Sequence, residues 1–110
     1  FVRERGDLTL PEAIHALTGQ QAALLGLTDR GTLELGKAAD ITIFALDDLT
    51  YAPEKLVADL PDGRSRFTRD PGGFRYTIVN GEIVQAGGKS TEALPGAWVG
   101  VAHEKTAVAA

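Results

Sequence analysis

The chain has 110 residues, 44 % of them hydrophobic, and a net charge of −4; that is one domain's length, with apolar content for a modest core and too much for wholesale disorder. The acidic balance argues against non-specific nucleic-acid binding, and no run approaches the roughly 18 apolar residues of a membrane span. Cysteine is absent, which excludes disulfides, thiolate nucleophiles and thiolate metal ligands and suits a reducing cytoplasm, the expected location.

Phe1 to Arg5 reads as the tail of an element already under way. With no Met anywhere, the sequence is expected to be a piece of a longer polypeptide. Charges and Pro11 interrupt "FVRERGDLTLPEAI" where a signal peptide needs an apolar run. In "TLPEAIHALTG", Thr9 and Glu12 fit a capping box and Pro11 sits in the first turn, where its missing N–H costs nothing. Leu10, Ile14 and Leu17 recur at helical spacing as one buried stripe, and Gly19 is expected to end the helix in a left-handed conformation. "TGQQAALLGL" then restarts, with Thr18 and Gln21 as a second capping pair and Gly26 as the stop.

Beyond Leu27 the character changes. "TDRG" is a turn, Thr32 to Leu35 a candidate short strand, "GKAAD" another turn. "ITIF" is a strand with Ile41 and Ile43 on one face and Thr42 and Phe44 on the other. The long segment after it reads as loop, except for a weak helical patch from Pro53 to Leu60 that turns Leu56, Val57 and Leu60 inward. In "FRYTIVNGEIVQAGG", Asn80-Gly81 lies between two β-rich runs, the strongest short-range hairpin signal. A two-residue loop there sets Val79 against Glu82 and Ile78 against Ile83, and Gly87-Gly88 ends the second strand. "STEALPGAWVGV" is expected to add a last extended piece near Trp98 to Val101, and "AHEKTAVAA" a frayed tail.

The residues that could carry chemistry each have a plainer reading. His15 and His103 are the only histidines and form no chelating pair; His15 falls off the apolar stripe and His103 in the tail, so neither is taken as a ligand. Asp40 precedes a strand, where a carboxylate commonly binds backbone donors. Asp47 and Asp48 stand together as paired acids do, yet no histidine or nucleophile motif neighbours them, which favours a solvated turn. Arg64, Arg66, Arg69 and Arg75, interleaved with Phe67 and Phe74, could fork a phosphate or a substrate carboxylate. Ion pairing with a partner segment outside this chain is the favoured alternative. The glycines follow no strand-to-helix phosphate-loop spacing.

The order of motifs is more informative than any one residue. "LTLPEAIHALTGQQAALLGLTDRGTLELGKAADITIFALDD", followed by "RYTIVNGEIVQAGGKSTEALPG", resembles the C-terminal end of an amidohydrolase-superfamily enzyme, closest to the D-aminoacylase (N-acyl-D-amino-acid deacylase) branch. The "L-x-x-G-K-A-A-D" lead-in to a strand carries the superfamily likeness; "GLTDRG" and "ALPG" point to the branch. The resemblance covers roughly residues 3 to 49 and 74 to 100.

The resemblance implies a mainly β fold with two short N-terminal α-helices. It would comprise a partial, composite β-sandwich plus the last helices of a (β/α)8 barrel whose remainder is absent. Residues 1–27 would be the barrel-packing helices, residues 28–101 strands of the sandwich with 51–73 an insertion loop, and residues 102–110 a flexible tail. It further implies a zinc-dependent deacylase acting on N-acyl-D-amino acids, with metal ligands and catalytic aspartate on barrel strands N-terminal to this stretch. No residue here matches them, so none is carried over as catalytic, metal-ligating or substrate-binding. The chain itself is then structural, and its partner is the remainder of the enzyme or a second copy. The competing reading is a free-standing, non-catalytic β-rich interaction module whose contact surface is the arginine cluster.

Overall fold

The computed structural model describes residues 1–100. They fall into two compact units, residues 1–39 with 96–100 forming one and Asp40–Pro95 the other. The expected tail at residues 102–110, with His103, and the end of the expected Trp98–Val101 piece lie outside the described residues.

The first unit is built on α1 (Leu10–Leu17) and α2 (Gly19–Leu24). The capping box forms as the sequence dictates: the Thr9 hydroxyl accepts the Glu12 N–H at 3.4 Å, and the Glu12 carboxylate accepts the Thr9 N–H at 2.8 Å. Thr18 closes α1 and opens α2 at once. Neither Thr18 nor Gln21 caps α2; the Thr18 hydroxyl donates back to the Ile14 carbonyl at 2.7 Å and the Gln21 amide to the Ala16 carbonyl at 3.1 Å. Two helices so close leave the last carbonyls of the first without partners, and these side chains supply the donors. Gly19 therefore begins α2 instead of terminating α1 in a left-handed turn. Gly26 does stop α2, at φ 70°, with Leu27 N–H bonded to Ala22 O (2.8 Å) and Gly26 N–H to Ala23 O (3.1 Å), the two bonds of a Schellman end.

The helices meet through small residues. Ala22 alone among the described residues is buried, at 8 % exposure. Gly31, at φ 89°, closes over it, and a Cβ there would collide with the Ala22 methyl. The Leu10, Ile14 and Leu17 stripe is not buried: α1 contributes no buried residue, and Leu17 is 75 % exposed. Thr32 to Leu35 forms bends, not a strand, because the Lys37 ammonium reaches back to the Thr32 hydroxyl and the Glu34 carboxylate and curls this stretch.

The second unit runs through β1 (Ile41–Phe44), a 3-10 turn (Leu46–Asp48), β2 (Thr50–Tyr51), β3 (Lys55–Val57), β4 (Arg66–Thr68), β5 (Pro71–Gly72), β6 (Phe74–Val79), β7 (Glu82–Ala86) and β8 (Lys89–Ser90). Strands β1, β6, β7 and β8 make one antiparallel sheet in the order β1-β6-β7-β8. Its centre is the expected hairpin: Val79 opposes Glu82, Ile78 opposes Ile83, and Asn80 (φ 47°) and Gly81 (φ 83°) both take positive φ. Gly87 (φ 55°) and Gly88 (φ 83°) do more than end β7; they are a second two-residue turn that brings β8 alongside, with Ala86 opposite Lys89. A row of Ile41, Ile78 and Ile83 crosses three strands, and Phe44 meets Phe74 with ring centroids 6.3 Å apart.

Two expectations are corrected here. A register shift between Ile43 and Phe44, with Arg75 as the extra residue on β6, breaks the simple alternation of "ITIF". Ile41 and Phe44 are consequently the half-buried pair, and Ile43 is 44 % exposed. The patch from Pro53 to Leu60 is no helix: Lys55–Val57 pairs with Arg66–Thr68, and Thr50–Tyr51 with Pro71–Gly72. Residues 50–72 thus form a β-ribbon where loop was expected, because cross-strand pairing outweighs a weak local helical period. Among the described residues no strand forms at 98–100.

Replacing Gly81 with Val should lower the melting midpoint, a loss of about 1 kcal/mol or more, because a β-branched residue resists positive φ. An unchanged thermal midpoint by circular dichroism would contradict the turn.

Candidate functional site

The sequence offers three places to look, and the structure gives each a partner. Asp40 stands immediately before β1, and its Oδ1 accepts the Asn80 backbone N–H at 2.9 Å. The donor is 40 residues away in sequence, so the carboxylate fastens the β1 lead-in to the tip of the β6–β7 hairpin. The Asn80 side-chain amide in turn donates to the Pro95 carbonyl at 2.7 Å. One turn residue thereby ties the start and the end of the unit to its middle. Asp40 is a structural residue, in line with the expectation that it binds backbone.

Asp47 and Asp48 lie on the 3-10 turn after β1. Asp48 pairs with Arg75 of β6, so the two acids do not act as a matched carboxylate pair. Gly73, at φ 85°, lets β6 approach this turn: a Cβ there would come within 2.6 Å of the Leu49 nitrogen.

The arginine cluster is engaged within its own chain. Arg66 forks both oxygens of Asp59, at 2.8 and 2.7 Å. Arg69 binds Glu54 at 2.7 Å, and Arg64 binds Asp62. Lys55 adds a pair with Asp70 at 2.6 Å. Phe67 lies on β4 opposite Leu56, and Phe74 packs on Phe44, so the two interleaved aromatics serve different neighbours. The acids were the missing half of the sequence reading, and their signal is present: acidic and basic residues occur in equal number between Glu54 and Asp70.

The electrostatics follow from these contacts. The hydrogen bond from Arg66 holds the Asp59 carboxyl below its ordinary value of 3.8, and the pair raises Arg66. Thr9 lowers Glu12, the hydrogen bond from Arg30 lowers Asp29, and Thr32 then Lys37 lower Glu34. Carboxylates lowered in this way are weak bases at neutral pH, the opposite of what proton abstraction needs. His15 is exposed on α1, and a Cβ at Gly19 would come 3.1 Å from its Nδ1. Among the described residues no three His, Cys, Asp or Glu side chains converge in a way that could hold a metal ion. The resemblance places the zinc ligands N-terminal to this stretch, and among the described residues no donor set fits that metal. No helix among the described residues is long and apolar enough to cross a membrane.

Acid should loosen the ribbon through the Asp59–Arg66 pair. Asp59 is lowered in the folded chain, so its contribution is fully present above about pH 4 and is lost as pH falls through the lowered value. The expected outcome is a β4 backbone amide shift that titrates below pH 4 by NMR and vanishes in Asp59→Asn. A titration unaltered by that substitution would count against the assignment.

Comparison with known proteins bears on the whole chain more than on any one residue. A family model described as the amidohydrolase family matches residues 1–85. A dihydroorotase of Acetivibrio thermocellus is 34 % identical over 91 residues, covering 76 % of this chain and 20 % of the relative. An N-acyl-D-glutamate deacylase of Alcaligenes xylosoxydans xylosoxydans is 33 % identical over 81 residues, 74 % of this chain and 15 % of the relative. An N-acyl-D-aspartate deacylase of the same organism is 51 % identical over 44 residues, 40 % of this chain and 9 % of the relative. The chain thus spans about a fifth or less of the length of these relatives. No solved structure matches it.

Proposed function

The chain belongs to the amidohydrolase family, and from that premise we propose that it is the structural, non-catalytic C-terminal part of a zinc-dependent hydrolase that cleaves the amide bond of N-acyl-D-amino acids. The observation that carries the structural role is the near-absence of a core. Ala22 alone is buried among the described residues, while Leu17, Leu24, Leu33 and Leu35 are each at least 75 % exposed. Apolar area of this kind gains on the order of 25 cal/mol per Å² when covered, so several such side chains favour a covering partner strongly. The remainder of a hydrolase, which the relatives possess at several times this length, is the partner proposed. That remainder would carry the zinc, the catalytic aspartate and the substrate pocket. The metal would there polarise the amide carbonyl and lower the pKa of a bound water.

The deacylase substrate is supported by the local identity of 51 % to the N-acyl-D-aspartate deacylase and by the motifs "GLTDRG" and "ALPG". A second reading, action on dihydroorotate, is supported by the dihydroorotase similarity over 76 % of the chain. The polypeptide that carries this sequence should hydrolyse N-acetyl-D-aspartate or N-acetyl-D-glutamate, lose turnover to a chelator and regain it with zinc. Turnover of dihydroorotate without turnover of either acyl amino acid would decide for the second reading.

The isolated 110-residue chain should show no amidase activity with or without zinc. Metal-dependent turnover by the pure chain, abolished by His15→Ala, would refute its non-catalytic role. In analytical ultracentrifugation at micromolar concentration the isolated chain should associate or melt without cooperativity. A monomer with a sharp two-state melt would instead favour a self-sufficient interaction module.

A further inference from the structure

We propose that Asn80 is a modification site: it loses its side-chain amide to water through a cyclic imide, and the native fold holds that reaction back. The inference starts from the dipeptide. A two-residue loop with positive φ at both positions, here 47° at Asn80 and 83° at Gly81, selects Asn-Gly. The same pair is chemically labile, because Gly81 has no Cβ to crowd an attack by its own nitrogen on the Asn80 side chain. Asn80 is exposed, and it is the only asparagine in the chain. In the reaction the Gly81 nitrogen bonds to Asn80 Cγ, the Cγ–Nδ2 bond breaks, and Nδ2 leaves as ammonia with the Gly81 proton. Water then opens the imide ring. Cleavage at Cγ gives aspartate; cleavage at the former backbone carbonyl gives isoaspartate, which routes the main chain through the side chain.

Two contacts oppose the first step. The Asn80 amide nitrogen, which must depart, donates to the Pro95 carbonyl at 2.7 Å. The Asn80 backbone N–H donates to Asp40 Oδ1 at 2.9 Å and fastens the turn to the β1 lead-in. Ring closure brings Asn80 Cβ into line with the Gly81 nitrogen and takes its ψ out of the left-handed region. The hairpin tip must therefore open before the ring can form, and the rate in the folded protein follows that local opening. Conversion is one-way. A carboxylate at residue 80 has no hydrogen to give the Pro95 carbonyl, and it puts a negative charge on the residue whose N–H holds the Asp40 carboxylate. Isoaspartate adds a carbon to a loop whose register allows two residues. Either product loses the joint that ties residues 40, 80 and 95 together. The proposal does not depend on which reaction the whole polypeptide catalyses.

The test uses the purified polypeptide that contains this chain, kept in mildly alkaline buffer both folded and unfolded in urea. Tandem mass spectrometry follows the amide-to-acid exchange at residue 80. The unfolded chain should convert, and the folded one at least about tenfold more slowly. Asp40→Ala should speed conversion of the folded polypeptide severalfold. Asp40→Asn, whose amide oxygen still accepts the N–H, should keep the parent rate. Asn80→Asp should melt below the parent. An amide that persists at residue 80 in the unfolded chain overturns the proposal. Equal rates folded and unfolded overturn it too, and that comparison decides even where Asp40→Ala does not fold. A folded Asp40→Ala that converts at the parent rate, or an Asn80→Asp with the parent's melting midpoint, overturns it as well.

Discussion

The left-handed turn at Asn80-Gly81 is the constraint on which the second unit depends. Positive φ at both residues sets the twist that lets β6 and β7 pair without a longer loop, and register follows from the turn. β1 then has a partner in β6 and β8 has one in β7. The same turn presents the Asn80 N–H to Asp40 and the Asn80 amide to Pro95. A change of turn type would move the donor, the acceptor and two strand edges together. Two register shifts, at Ile43/Phe44 and at Thr77/Ile78, absorb what a straight ladder would not accommodate.

The charged residues have a comparable economy. A row of four arginines in sequence invites a substrate anion, but in three dimensions each guanidinium already holds a carboxylate from the same unit. The hydrogen bond from Arg66 lowers Asp59 and so stabilises its charged form, the reverse of tuning a general base toward neutrality. Arg66–Asp59 and Arg69–Glu54 tie the two arms of the ribbon together, and Arg75–Asp48 ties β6 to the 3-10 turn.

Burial gives the same picture from the other direction. Helices α1 and α2 are well formed at their ends, with a capping box at one and a Schellman turn at the other. Between those ends Ala22 packs against Gly31 of the following turn, while Leu17 and Leu24 are exposed. Local hydrogen bonding specifies the helices, while most of their apolar side chains stay exposed.

The sequence by itself determined the features whose cause is local. The Thr9–Glu12 box, the stop at Gly26, the strand "ITIF" and the Asn80-Gly81 hairpin with its register each depend on residues within a few positions of one another. Family membership was legible for a related reason, since "GKAAD" and its neighbours are contiguous. Only the tertiary structure decided what depends on distant partners. Thr18 and Gln21 abandoned α2 for the carbonyls of α1, and Gly87-Gly88 turned the chain into β8. Residues 53–60 were drawn out of a weak helical period by strand pairing across 9 to 13 residues. The arginines found acids up to 27 positions away. Periodicity reports which side chains are apolar, but not whether anything stands opposite them, so the buried stripe of Leu10, Ile14 and Leu17 was a statement about a neighbour that the described residues do not supply.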